Sequence, residues 1–301
     1  MNPTAILTAD WHLRDTTPIC RTDDFWKAQW AKVMHIVELQ NRYNCPIIHA
    51  GDLFHTWKTS PFLLSTTMEY FNRFTEVRNG PAFITVYGNH DLPQHNIDLS
   101  QRSGMNTLAT AGKIVIMENG HWGETVPMDS FSLQNLLGGA EFKDVAVWHK
   151  FTYTGAKPWP GCQDPTAEQI LRKFPEYRLI VTGDNHTPFV VKYKDRILVN
   201  PGSITRQTAD QAEHSPRVYF WYSEDNSVKP ILLPFQEDVI TREHLEVKAE
   251  RDIRMEAFIS RLKEDWNVAL SFEDNLREFL SVNKLRKSVI ELIHKAMDVD
   301  G

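Results

Sequence analysis

Thr4-Ala5-Ile6-Leu7-Thr8-Ala9-Asp10-Trp11-His12, near the start of the chain, is a short apolar run that stops on two residues of metal-ligand type. Residues 4–9 read as a strand, and Asp10 and His12 stand two apart at its end. The same pattern recurs along the chain. Pro46 to Ala50 is a buried-type strand ending on Gly51-Asp52. Ala82 to Tyr87 ends on Gly88-Asn89-His90-Asp91, Val145 to Trp148 on His149, and Arg178 to Thr182 on Gly183-Asp184-Asn185-His186. A lone Asp-x-His is within reach of chance. Five ligand-bearing segments in order, each closing a strand-like run, are not.

Between these strands lie helical patterns. Phe25, Trp26, Trp30, Val33, Ile36 and Val37 form a stripe over residues 23–41, with Asp23-Asp24 as an acidic helix start. Leu63 to Val77 carries Met68, Phe71 and Phe74 on one face. The resulting β-α-β-α-β order predicts parallel strands with right-handed crossovers, and ligands at the strands' carboxyl ends. After residue 105 helices thin out. Lys113 to Met117 and Ser130 to Leu133 read as strands and Thr166 to Phe174 as a short helix. Val190 to Tyr193, Ile197 to Val199 and Val218 to Tyr222 read as a meander, so a second sheet is expected on the first. Composition shifts near Pro230 to Glu237, predicting a catalytic domain over 1–235 and a helical region over 236–301. There Met255, Phe258, Ile259, Leu262 and Trp266 keep helical spacing, Ser271 and Asp274 form a capping signal, and Leu285, Val289, Leu292 and Ile293 mark a last helix.

Carboxylates, imidazoles and one amide together make a mixed oxygen and nitrogen donor set. It suits manganese, iron or zinc better than calcium. Two divalent ions roughly 3.5–4 Å apart would supply a nucleophile at neutral pH and positive charge for phosphoryl oxygens. Asp52 is the natural shared carboxylate. Asn89 offers a neutral oxygen, His90 a proton donor for a leaving oxygen, and Asp91 a carboxylate to fix the His90 tautomer. Arg14 and Arg206 are candidate phosphate contacts.

The motif set resembles the calcineurin-like metallophosphoesterase family. Asp10-Trp11-His12-Leu13, Gly51-Asp52-Leu53-Phe54-His55, Gly88-Asn89-His90-Asp91 and Asn200-Pro201-Gly202-Ser203 narrow the resemblance to the SbcD-type nuclease subunit of double-strand-break repair complexes. The resemblance covers about residues 5–224. It implies an α/β fold, a four-layer α/β/β/α sandwich with a small helical C-terminal appendage. It implies that Asp10, His12, Asp52 and His186 hold one ion, and Asp52, Asn89, His149 and residue 184 the other. His90 becomes the catalytic histidine, and His55 a substrate contact. It also implies a metal-bound hydroxide as nucleophile, DNA as substrate, and a cap or a docking helix pair for an SbcC-like ATPase; a homodimer is a further expectation. The last motif departs from the family's Gly-His-x-His by placing Asp184 where a histidine is usual. An oxygen donor there favours harder ions, so Mn²⁺ is expected first and Fe, Zn or Mg after it.

The chain has 301 residues, 42% hydrophobic and 24% charged, enough for a sizeable core. Trp11, Trp26, Trp30 and Trp57 crowd the early motifs and are expected in the core or cleft wall. Cys20, Cys45 and Cys162 fit no disulfide framework or cysteine metal motif, and no run suggests a signal peptide or membrane span. A cytoplasmic protein is expected. The formal net charge of −6 is unlike a free-standing duplex-DNA binder. Two other functions compete with the nuclease: a stand-alone phosphodiesterase or phosphatase for small phosphoesters, and a non-catalytic binding subunit, which only Asp184 favours.

Overall fold

The computed structural model describes residues 2–77, 80–117, 144–264, 271–283 and 285–297. The expected strand at Ser130–Leu133, His121 and Trp266 lie outside them. The chain divides into two compact units, Met1–Thr241 and Arg242–Gly301.

The first unit begins with β1 (Ala5–Thr8), α1 (Phe25–Tyr43), β2 (Ile47–His49), α2 (Pro61–Phe71), β3 (Phe83–Thr85), α3 (Gly104–Thr110) and β4 (Val115–Ile116). It continues with β5 (Val145–Trp148), α4 (Ala167–Lys173), β6 (Leu179–Thr182), β7 (Phe189–Tyr193), β8 (Arg196–Asn200), β9 (Arg217–Tyr222) and β10 (Ser227–Leu232). Local chemistry fixes the helix starts. The Asp24 carboxylate accepts the Lys27 N–H to cap α1, and Ser60 caps α2 ahead of Pro61 in its first turn. α1 ends on Asn44 in the left-handed region.

One sheet runs β10-β9-β1-β2-β3-β4 and the other β5-β6-β8-β7. The pairs from β1 to β4 are parallel, and β9 and β10 add antiparallel strands at the β1 edge. Side-chain alternation along the strands then builds three apolar layers. Ile6, Ile47, Phe83 and Phe220 face α1 and α2, packing with Trp11, Val33 and Ile36. Leu7, Ile48, Ile84 and Trp221 face the other way, against Val147, Val181 and Val199 of the second sheet. Ala146, Ile180 and Leu198 cover the far side with Ile170 and Leu171 of α4. Helices, sheet, sheet and helix form the expected four layers.

Two details differ from the sequence reading. The three strands after residue 189 are not a meander. β7 and β8 form an antiparallel hairpin, but β8 joins β6 in parallel, and β9 crosses to the first sheet beside β1. Period-2 alternation shows which residues share a face but not which sheet receives the strand. β10, which runs into the composition shift at Pro230, is not among the strands expected from the sequence. It is an edge strand, the place where a missing N–H does little harm. Beyond it, Val239 and Thr241 pair with Thr22 and Cys20.

The second unit holds α5 (Glu243–Glu264), α6 (Phe272–Val282) and α7 (Lys287–Met297). Ser271 caps α6 by accepting the Asp274 N–H. No helix among the described residues is long and apolar enough to cross a membrane.

Candidate metal centre

The site forms where the strands of both sheets run out. Past β1 and β2 the two chains continue side by side: Asp10 N–H donates to Gly51 O, His12 N–H to Asp52 O and Leu13 N–H to Leu53 O, at 2.9–3.0 Å. Asp10, His12 and Asp52 all have positive φ, 51°, 45° and 58°. This left-handed region is sparsely used by residues with a side chain, and here it bends each ligand off its strand toward a common centre. Gly88 is required by close approach. A Cβ there would sit 2.0 Å from Asp52 Oδ1 and 2.5 Å from the Asp52 nitrogen.

Three buried groups lie at the centre. Donor atoms of Asp10, Asp52 and His149 lie within 4.8 Å of one another, and so do those of Asp10, His12 and His186. Asp10 is common to both groups, and Asp52 Oδ2 lies between two imidazoles, 3.5 Å from His12 Nε2 and 3.4 Å from His149 Nε2. His149 donates from Nδ1 to Ala50 O at 2.6 Å, which leaves Nε2 to face Asp52, Asn89 Oδ1 at 3.1 Å and Asp184 Oδ1 at 3.9 Å. Such a carbonyl partner is the usual way a ligating imidazole is oriented.

These surroundings call for positive charge. Burial works against the Asp52 charge, but His149 and His12 beside it hold the carboxyl well below its usual range. Burial likewise disfavours a charged His149, yet Asp52 above all, with Asp10 and Asp184, raises it to about 10. Burial pushes Asp10 well up, and its Oδ2 is buried without a hydrogen-bond partner. His12 Nε2 and His186 Nε2 stand 3.0 Å apart with burial depressing both rings. Two imidazoles with their nitrogens face to face, an orphaned carboxylate oxygen and an oxygen cage around His149 Nε2 fit divalent cations.

Asp184 takes φ 72° and donates its N–H to Asp10 Oδ1 at 3.0 Å. Its carboxylate turns toward His149 but is a quarter exposed, outside these two donor groups and outside a third, His12, His55 and His90. His90 donates from its N–H to Asp52 Oδ1 at 2.9 Å and from Nδ1 to His55 O at 2.7 Å. The His55 and His90 rings stack at 5.5 Å, and both line a cavity with His12, His186 and Arg14.

Two expected roles are corrected. Asp91 does not orient His90. It is fully buried, and its oxygens accept the N–H groups of Asp52, Leu53, Phe54 and Gly88 at 2.9–3.3 Å, so it is a clasp between two loops. Arg206 does not face the cavity. It is 2% exposed, packs on Phe235 and donates to the carbonyls of Ala212, Gln236 and Glu237. Its neighbour Gln207, which the sequence reading missed, lines the cavity and holds His12 O and Thr205 Oγ1. His95 is exposed and binds Asn89 O through Nδ1, so it braces the third motif.

The sequence profile of the calcineurin-like phosphoesterase superfamily domain matches residues 6–220. The double-strand break repair protein MRE11 of Encephalitozoon cuniculi is 21% identical over 345 residues, across 98% of this chain and 56% of that protein. The chain thus spans about half the length of that curated relative. A solved structure described as a novel archaeal phosphodiesterase superposes with a TM-score of 0.42 at 16% identity, covering 76% of this chain and 99% of its own. A Thermus thermophilus protein, TT1561, gives 0.41 at 12% identity, covering 78% and 100%.

Gly88→Ala tests the convergence of the loops. The added methyl must displace Asp52, so metal affinity, read by competition with a chelating dye, is expected to fall about 10- to 100-fold while circular dichroism stays native. Affinity within twofold of wild type would show that Asp52 is not held by this approach.

Proposed function

The chain belongs to the calcineurin-like phosphoesterase superfamily and is a metal-dependent phosphoesterase, and we propose that it is a nuclease cleaving phosphodiester bonds of DNA. The observation that carries the reading is the convergence of Asp10, His12, Asp52, Asn89, His149 and His186 beside His90, all at strand ends. Its DNA substrate is supported by the MRE11 likeness and by the SbcD-like flanks of the motifs.

We assign Asp10, His12, Asp52 and His186 to one ion and Asp52, Asn89, His149 and Asp184 to the other, with manganese first among the metals. When bound, the ions supply charge for the non-bridging oxygens and a water activated near neutral pH. The chain's own residues set the rest. Asp52 stands between His12 and His149 and is the shared carboxylate. The Ala50 carbonyl keeps the His149 Nδ1 proton, so Nε2 presents a lone pair. The His55 carbonyl likewise holds the His90 Nδ1 proton, so the proton given to the leaving oxygen is the second one, carried on Nε2 of the imidazolium, and the ring returns to its neutral Nδ1–H form. Asp91 keeps the loops in register.

A second reading, hydrolysis of small phosphoesters, is favoured by the charge of −6. We read Arg242–Gly301 as a helical cap or partner-docking region. Exposed Ile253, Met255 and Ile259 on α5 favour docking, to an SbcC-like ATPase or a second copy.

Four experiments follow. Manganese-loaded protein should cleave linear DNA and an aryl phosphodiester in a chelator-sensitive way and an aryl monoester far more slowly. Monoester turnover above both diesters would replace the nuclease with a phosphatase. His90→Ala should keep its metal by elemental analysis while kcat falls about 10²–10⁴-fold; near-normal turnover would remove His90 from the chemistry. In the same assay Asp184→Ala should lose one equivalent of metal and Asp184→His retain it, and wild-type metal content and rate in both would exclude Asp184 as a ligand. In sedimentation, a heavier species is expected for the protein alone or with an SbcC-type ATPase, and its absence from both would leave the cap.

A further inference from the structure

The cavity beside His90 carries little formal charge although the chain is acidic: burial holds the His12, His55 and His186 rings toward the neutral form, and Arg14 is the one fixed cation among the described lining residues. The cavity encloses about 560 Å³, and no Asp or Glu among the described residues lines it although the formal charge is −6. Four histidines and Arg14 do. A single phosphate group needs far less room, and the volume falls among small-ligand sites of roughly 300–1,000 Å³.

Arg14 is oriented by neutral acceptors, and the Asp15 carboxylate acts on it through space without a direct bond. Its Nε donates to Thr16 Oγ1 at 2.9 Å and its Nη1 to Gln207 Oε1 at 3.4 Å. Both acceptors are uncharged, and nothing among the described residues engages Nη2. Gln207 is itself anchored through Nε2 to His12 O at 3.0 Å and Thr205 Oγ1 at 2.8 Å. The neighbouring Asp15 carboxylate accepts the Ser60 hydroxyl at 2.5 Å. A guanidinium steered by neutral oxygens into a carboxylate-free cavity is an anion site, and its planar fork suits phosphate.

The rest of the wall suits what would join that anion to the metal centre. Ile19, 76% exposed, and Pro18 give apolar surface, while Thr205 and Thr208 give hydroxyls. His90 lines the same cavity, so the group that receives its proton leaves into it. We propose that Arg14, steered by Gln207, binds a second phosphate on the leaving-group side, so that the enzyme prefers phosphodiesters whose leaving group is a phosphorylated nucleoside. The inference rests on the phosphodiesterase reading above and narrows its substrate to a chain of at least two phosphates.

Calorimetric titration of the manganese-loaded protein tests it without turnover. The probes are deoxyadenosine 3′,5′-bisphosphate and the 3′- and 5′-monophosphates. Wild type should bind the bisphosphate about tenfold or more tightly than either monophosphate. Arg14→Gln should bring the three within about twofold, and Arg14→Lys, which keeps charge without the fork, should fall between. Gln207→Glu, which would set a carboxylate against the guanidinium, should also erase the preference and serves if Arg14→Gln does not fold. Equal affinities in wild type, or an undiminished preference in Arg14→Gln or Gln207→Glu, would overturn the subsite. Turnover of a simple aryl phosphodiester by the same preparation separates the two failures. Hydrolysis without bisphosphate preference sinks the subsite alone, and no hydrolysis sinks the reading beneath it.

Discussion

Four backbone N–H groups converge on the buried carboxylate of Asp91, and the metal centre depends on that convergence. Three of them belong to Asp52, Leu53 and Phe54 and one to Gly88. One side chain therefore ties the loop after β2 to the loop after β3. Burial and the nearby Asp52 charge push the Asp91 carboxyl up, to about 7, and the donated bonds from Gly88 and Phe54 pull the other way. Every one of those bonds needs an accepting oxygen, so the loops themselves favour the ionised form. With the clasp closed, Gly88 comes so near Asp52 that no side chain fits between them, and the His90 N–H reaches Asp52 Oδ1. The position of the shared carboxylate and of the proton donor are thus set by one interaction.

The same economy governs the backbone. Asp10, His12, Asp52 and Asp184 hold left-handed conformations that cost on the order of 1–3 kcal/mol each for residues with side chains. The ladder from Asp10 and His12 to Gly51 and Asp52 offsets part of that cost by continuing β-type pairing past the strand ends. The strain has a use, because it turns each of these residues out of the line of its strand, where Asp10 meets His12 and His186 on one side and Asp52 and His149 on the other.

Much of this was legible in the sequence for a physical reason. A parallel sheet needs continuous apolar strands, and its sites lie at their carboxyl ends, so Ile47–Ile48 before Asp52 and Val145–Trp148 before His149 mark both fold and ligand. What stayed hidden depended on partners distant in sequence. Arg206 reads as a phosphate contact because it follows a Pro-Gly-Ser turn, yet three carbonyls from residues 212, 236 and 237 enclose it. Asp91 reads as a companion of His90 because it is adjacent, yet its partners lie mostly around 39 residues earlier. Gln207 carries no motif at all, and only the fold brings it beside His12. β9 shows the same limit, since nothing in Arg217–Tyr222 says which sheet it will join.

The distribution of charge ties these observations together. Asp10, Asp52 and Asp184 gather carboxylates around His149, whose elevated proton affinity shows how strongly that point attracts positive charge. Next to it, the cavity of His12, His55, His90, His186 and Arg14 holds no carboxylate among the described residues. Carboxylates and the imidazoles of His12, His149 and His186 gather where we place the cations, and Arg14 with His90 stands where we place the anion. A chain of net charge −6 needs no basic face to meet a phosphodiester if the positive field is concentrated there. The acidic total, which by itself speaks against a nucleic-acid substrate, counts the site's own Asp10, Asp52, Asp91 and Asp184, and bound cations would offset part of it.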